Sequence, residues 1–449
     1  MCAIIGALLF DINSGDKLLA VNSILKLIWE KSHERGRDGR GFIINSDVHE
    51  NVSALHDSTR FAGENLAPGL FTFCKNAAII GNLRAEPTTE YVKSKQLVDQ
   101  QPYTVKDWSI VHNGTIANDK ELRTGVIHTI IDSSAIAEQL AVINDFNIVV
   151  RSLIGSFAIL ATHKTHPNAL YVAANYRPVW FITTEYGRFF ASSKDYLPEE
   201  YVAEMLPAYT VAMFTQDEIL AEVLYPRKTD NRAVVVCSGG LDSVVAAAKA
   251  QADGYNIELL HFQYGSRAQQ PEIDAIEAVA KHFNCKASCM PIPIYRQEDS
   301  PLLNKNAVLA GGEAGAEFAS EWVPARNLVM LSVATAFAEA RGITTIVLGN
   351  NLEESGAYPD NEPEFINRFN EVLPFAVGAN KRMKVIMPVG NLMKHEIVKL
   401  GHELGAPMHL TWSCYRAGEK HCGVCGPCHM RRIAFEMNEL PEVITYLEQ

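Results

Sequence analysis

Three groups of residues in this 449-residue chain have the types and spacing to do chemistry. The run Ser238-Gly239-Gly240-Leu241-Asp242-Ser243 follows three valines, 234–236, and precedes an alanine-rich stretch. Strand, tight turn and helix are the order this predicts. Two glycines bring bare N–H groups up to a ligand, the serines add hydroxyl donors, and the helix presents its positive end. Those parts make a cradle for phosphate. The lysine of the commoner G-x-x-x-x-G-K-[ST] loop is absent, which favours a pyrophosphate over a γ-phosphate awaiting hydrolysis.

The second group is Cys414-x7-Cys422-x2-Cys425-x2-Cys428. Four thiolates so spaced can close a tetrahedron around zinc, with Gly423 and Gly426 allowing the tight turns between them. Four protein ligands leave no open position, so such a zinc is structural rather than catalytic. An iron–sulfur cluster is the competing occupant, since it also takes four cysteines. His421 and His429 are expected as neighbours of the shell.

The third group begins at Cys2. Removal of Met1 leaves this thiol beside a free α-amine, which titrates near neutrality and can take the thiol proton. By itself a cysteine there reads as a packed strand residue. Its company changes the odds. Asn113-Gly114 offers a side-chain amide beside a flexible backbone N–H, the parts of an oxyanion hole. Arg84 ends a strand, and Asp132 opens a helix as its N-cap.

These groups need scaffolds of different kinds. Apolar patches over 170–174, 179–183 and 210–214 fit a strand-rich layered domain. Around 225–231 the pattern breaks into polar residues and a proline, which places a boundary there. Beyond it, strands over 257–262 and 344–348 alternate with helices over 271–283 and 326–340, the pattern of a doubly wound parallel sheet. The strand ends at 262–267 and 349–356 should face its nucleotide crevice. The fold class is therefore α/β, with domains over 1–224 and 232–449. No apolar run approaches the roughly 20 residues of a membrane span. The short apolar start at 4–10 lacks a basic flank, so it reads as a strand and not a signal peptide. A net charge of −12 argues against a broad nucleic-acid footprint. Clustered thiols without an export signal suggest metal in a cytoplasmic protein.

The Ser-Gly-Gly-Leu-Asp-Ser string resembles the PP-loop of the N-type ATP pyrophosphatases, which activate a carbonyl oxygen by adenylation. In order, the motifs of residues 2–215 resemble the class II (N-terminal nucleophile) glutamine amidotransferase domain, whose fold is an αββα Ntn-hydrolase layering. That likeness makes Cys2 the nucleophile, with Asn113 and Gly114 holding the oxyanion. Arg84 then pairs with the glutamine α-carboxylate and Asp132 with its α-amine. Arg37 stands where that family usually carries proline.

The phosphate loop, Trp322-Val323-Pro324-Ala325-Arg326-Asn327, Ser355-Gly356-Ala357-Tyr358-Pro359-Asp360 and the four-cysteine tail together resemble 7-cyano-7-deazaguanine synthase over residues 232–436. The resemblance implies ATP (with Mg) and zinc as cofactors, with glutamine as co-substrate. It implies phosphate contacts from Ser238, Gly239, Gly240, Leu241, Asp242 and Ser243. Arg326 and Lys394 would neutralise phosphate charge, and Tyr358 and Asp360 would lie near the deazapurine. Where that family has Cys-Arg after its Tyr-Pro-Asp, this chain has Asn361-Glu362, and the added anion disfavours a carboxylate substrate.

The fusion also resembles archaeosine-forming amidotransferase–synthase proteins, which turn the 7-cyano group into an amidine. The leading expectation is thus an ammonia-channelling amidotransferase acting on the C7 substituent of a 7-deazaguanine. The nitrile is the expected acceptor, free or carried in tRNA or DNA. Alternatives are a synthase making the nitrile from the carboxylate, a ligase tagging a protein or nucleic acid, and a non-catalytic zinc scaffold. Homo-oligomerisation is compatible with all of them.

Overall fold

A computed structural model of the chain describes residues 2–36, 38–46, 55–57, 74–85, 92, 96–225, 230–309, 311, 321–355, 358–378 and 382–447. Met1, Arg37, Gly356 and Ala357 lie outside the described residues. The chain divides into two compact units, Met1–Pro226 and Arg227–Gln449.

The first unit is built on two antiparallel sheets. One contains β1 (Ala3–Ile12), β2 (Gly39–Ser46), β3 (Leu55–Asp57) and β4 (Cys74–Arg84). The other contains β5 (Tyr103–Val105), β6 (Trp108–Ile116), β7 (Gly155–His163) and β8 (Leu170–Ala174). Next come β9 (Trp180–Thr184), β10 (Gly187–Ala191) and β11 (Glu204–Met205), which join the first sheet; β12 (Thr210–Phe214) and β13 (Ile219–Val223) join the second. Among the described residues the strand orders are β11-β9-β10-β1-β4-β2-β3 and β13-β12-β8-β7-β6-β5. β1 and β4 are buried on both faces. Ile4, Leu8, Ile80, Leu160 and Val172 pack one apolar layer between the sheets. The opposite face of β1, through Ile5 and Leu9, packs on the Gly15–Ser32 helix. The Ser133–Ile143 and Phe146–Ser152 helices cover the outer face of the second sheet through Ala137, Leu140 and Val150. Helix, sheet, sheet and helix thus stack in four layers.

The second unit is a parallel sheet of β14 (Arg232–Val236), β15 (Asn256–Gln263), β16 (Lys286–Pro291), β17 (Thr345–Val347) and β18 (Lys384–Ile386). Their order is β16-β15-β14-β17-β18. Val235 and Leu259 pack on the Leu241–Ala252 and Gln269–Phe283 helices on one face. Val234, Leu260 and Ile346 pack on the Arg326–Ala340 helix on the other. Strand order reverses between β14 and β17, which opens a crevice at the carboxyl ends of those two strands. Among the described residues no helix is long and apolar enough to cross a membrane.

Candidate functional sites

The crevice of the second unit holds a cavity of about 210 Å³, lined from the ends of β14 and β15 and from the Leu348–Asn350 segment beyond β17. The phosphate loop forms one wall. Gly239 has φ +82, and a Cβ there would stand 3.0 Å from the Glu272 carbonyl oxygen, so the turn admits little but glycine. Gly240 takes the N-cap position of the Leu241–Ala252 helix, whose first-turn N–H groups open toward the cavity. The Ser238 hydroxyl accepts the Gly240 N–H at 3.2 Å, and the Ser243 hydroxyl donates to the Gly240 carbonyl at 3.0 Å. Gly349 presses on the start of that helix, where a Cβ would lie 2.5 Å from Ser243 Cα.

Among the described residues two cations reach the cavity. Lys394, first residue of the Lys394–Glu403 helix, is buried and ion-pairs with Asp242. Arg326 begins the Arg326–Ala340 helix, behind Ala325 in the left-handed region at φ 49, and donates to the Tyr264 hydroxyl at 3.3 Å. Cations beside a helix N-terminus suit a polyanion. Tyr358 stacks on Trp322 at 6.0 Å between ring centroids. Asp360 is buried and accepts the Asn327 N–H at 3.0 Å, so it caps the Arg326–Ala340 helix; Asn361 is the neighbour that lines the cavity. Burial pushes the Asp360 carboxyl up, and the Asn327 N–H bond draws it back. Glu362 takes the N-cap position of the Pro363–Ala376 helix and is not among the residues lining the cavity.

The tail seals the cavity from another side. Trp412 N–H donates to the Gly239 carbonyl at 2.8 Å, and Ser413, Cys414 and Tyr415 follow it along the wall. The sulfurs of Cys414, Cys422, Cys425 and Cys428 are buried and all lie within 4.8 Å of one another. Thiolates on a single zinc stand about 3.8 Å apart, given bonds of about 2.3 Å. A cluster of several irons holds its cysteines farther apart, so this set fits one ion. Backbone N–H groups of Arg416 and Cys422 point at the Cys414 sulfur at 3.3 and 3.4 Å, as thiolate ligands require. His421 Nε2 accepts the Ser413 N–H at 2.9 Å, which removes it as a ligand.

In the first unit, register brings the third group of residues toward one place. Ala3 pairs with Leu83, so Cys2 adjoins the Arg84 end of β4, and its thiol donates to the Ala85 carbonyl at 3.6 Å. Across to the second sheet, the Asn82 side chain donates to the His112 carbonyl at 3.2 Å, next to Asn113 and Gly114. A Cβ on Gly114 would lie 1.9 Å from the Ser156 carbonyl oxygen. Arg84, Asn113 and Asp132 are all buried. Asp132 holds the N-cap position, but its carboxylate does not cap its own helix. It accepts the Ile116 N–H at 2.6 Å and the Ser133 hydroxyl at 3.0 Å. The same Ser133 hydroxyl meets His112 Nδ1 at 2.8 Å and Gln101 at 3.1 Å. That buried network had no local signal, because its members come from distant stretches. Phe262, Tyr264, Gly349 and Asn350 line the cavity, as expected of the strand ends at 262–267 and 349–356, whereas Glu272 and His261 were missed; Glu272 reads in sequence as an ordinary first-turn acid.

The family model described as queuosine biosynthesis protein QueC matches residues 232–439. A protein of Saccharolobus solfataricus named 7-cyano-7-deazaguanine synthase is 38% identical, with 100% of both chains covered. One of Sulfurisphaera tokodaii, named 7-cyano-7-deazaguanine synthase 2, is 39% identical over 99% of this chain and 100% of its own length. A shorter protein of Methanothrix thermoacetophila, also named 7-cyano-7-deazaguanine synthase, is 41% identical over 48% of this chain and 98% of its own.

Proposed function

The chain belongs to the 7-cyano-7-deazaguanine synthase family, and from that premise we propose that it makes the 7-cyano group of a 7-deazaguanine from the 7-carboxylate, using ATP and nitrogen taken from glutamine. The observation that carries this reading is the match along the whole length of relatives bearing the synthase name. Those relatives match the amino-terminal half as well as the ATP half, which supports a nitrogen supply joined to nitrile formation. The amidine-forming reading has less support, since the relatives matched along their whole length carry the synthase name.

Ser238, Gly239, Gly240, Leu241, Asp242 and Ser243 would hold the triphosphate against the helix start, and Mg bound with ATP would offset its charge. Arg326 and Lys394 offset the negative charge of phosphates and carboxylate, which otherwise repel one another in a low-dielectric cleft. The carboxylate oxygen attacks the α-phosphorus and pyrophosphate leaves. Ammonia then displaces AMP to give the amide, and a second adenylation on the amide oxygen removes that oxygen as AMP to leave the nitrile. Cys414, Cys422, Cys425 and Cys428 would hold zinc in a structural role, which would tie the Cys414 wall of the cavity to the Gly426–Met437 helix. At the other site Cys2, freed of Met1, attacks the glutamine amide while Asn113 and Gly114 hold the oxyanion. Arg84 and Asp132 take the glutamine carboxylate and amine.

The test is a substrate panel with amide-labelled ¹⁵N-glutamine, ATP, and either the 7-carboxylate or the 7-nitrile, each as free base and within tRNA and DNA. The expected outcome is labelled nitrile from the free carboxylate with release of AMP. Amidine formed from the nitrile without ATP would overturn the reading.

A further inference from the structure

Making a nitrile from ammonia and an acid requires several protons to leave nitrogen, and this removal has no assigned acceptor. We propose that Glu272 is the base that takes the first N–H proton of the adenylated amide, a role that rests on the synthase reading above. Glu272 stands in the first turn of the Gln269–Phe283 helix and lines the same cavity as the phosphate loop and Arg326. That turn packs directly on the loop, since a Cβ on Gly239 would meet the Glu272 carbonyl at 3.0 Å. The carboxylate is aimed by a hydrogen bond from the Ser266 hydroxyl at 3.0 Å.

The other acids and bases of the cavity are otherwise engaged. Asp242 pairs with Lys394, and Cys414 belongs to the thiol cluster. His261 faces the Cys237 carbonyl through Nδ1 at 3.2 Å, and burial lowers its basicity. Burial pushes the Glu272 carboxyl up to about 7, with the Ser266 bond and the charge of Arg326 drawing it back. A base so poised accepts protons near neutrality without being already saturated. Tyr264 and Arg326 are the ionisable groups that face it. His261 lines the same cavity, while Lys286 and His409, on the other elements packed on its helix, are exposed.

In the amide half of the reaction, the amide oxygen attacks the α-phosphorus and pyrophosphate leaves. Glu272 takes one N–H proton from the resulting cation. The second N–H is lost as the C–O bond breaks, its electron pair departing with AMP and the nitrogen pair completing the triple bond. Both protons pass to solvent.

This half needs no ammonia, so single-turnover conversion of the 7-amide to the nitrile tests the proposal apart from the glutamine site. The wild-type rate should rise through pH about 7 and level off above it, because the carboxylate is the active form. Glu272→Gln should slow the step on the order of 10²–10³-fold and flatten that limb, while amide-dependent exchange of pyrophosphate into ATP persists. Glu272→Asp should keep the limb at a reduced rate. A Gln variant with wild-type rate and profile overturns the role of Glu272 alone. No nitrile from the wild-type enzyme overturns the synthase reading and this role together. Should the Gln variant fail to fold, the Asp variant decides: a rate and limb both unchanged would sink the proposal.

Discussion

Cys2 and the four tail cysteines are the same side chain in opposite surroundings, and the proposed uses differ accordingly. The tail thiols are buried, meet one another within 4.8 Å and receive backbone N–H groups. Mutual thiol hydrogen bonds, first from Cys425 and then Cys428, pull Cys414 down toward thiolate. Cys2 is only partly buried and touches a carbonyl oxygen, at the open end of a strand pair. A thiol held by other thiols is a ligand, and its loss costs structure. A thiol freed to act beside its own α-amine, the role proposed for Cys2, is a nucleophile, and its loss would cost rate. Company decides which.

The largest effect should separate the two on the tail side. Apparent zinc-binding free energies of such sites run to about 10–16 kcal/mol near neutral pH. Chelation at low pH, or Cys428→Ser, should therefore unfold the wall that carries Trp412 and collapse ATP binding, read by loss of bound metal and by thermal melting. If Cys428→Ser retains metal, melting temperature and ATP affinity, the cluster is not a structural centre.

Next in size comes Cys2→Ala, expected to lower glutamine-driven turnover on the order of 10⁵-fold, about 7 kcal/mol in barrier. Melting should not move, and ammonium salts should restore nitrile formation. Equal loss with both nitrogen sources would put Cys2 in the wrong role.

Features written within a few residues of one another were legible before any fold was known. The phosphate loop, the thiol spacing and the Arg326–Ala340 helix all belong to this class, because turn chemistry, ligand geometry and helical periodicity act locally. What escaped depends on strands brought together from far apart. Nothing in residues 269–274 says that Glu272 will face Arg326 from another helix, or that Trp412 will clamp Gly239. Asp132 had the residue type of an N-cap, yet the Ile116 N–H, brought by β6, outcompeted its own helix for the carboxylate.

A smaller effect is expected at Gly114. With φ +154 and a Ser156 carbonyl 1.9 Å from any added Cβ, Gly114→Ala must shift β6 against β7 and turn its N–H away from the oxyanion. Loss of one such donor costs on the order of 10²–10³ in rate. Glutamine hydrolysis should fall by that amount, with nitrile formation from ammonium unchanged. A drop in both activities would mean the substitution damages more than the oxyanion site.

The smallest predicted effect settles what Asp360 does. Its carboxylate meets the Asn327 N–H at 3.0 Å and the Asn327 side chain at 3.3 Å, at the start of the helix that opens with Arg326. A cap of this kind is worth about 1 kcal/mol. Asp360→Asn keeps an acceptor oxygen and should lower stability by less than that, with KM for the deazaguanine changed no more than about threefold. Asp360→Ala loses the cap outright and should cost about 1–2 kcal/mol, with a modest rise in KM for ATP as Arg326 loosens. A carboxylate that instead touched the purine would behave in the opposite order. Either variant would then raise KM for the deazaguanine by on the order of 10²-fold or more, from loss of a charge-assisted bond of about 3 kcal/mol, and melting would barely change.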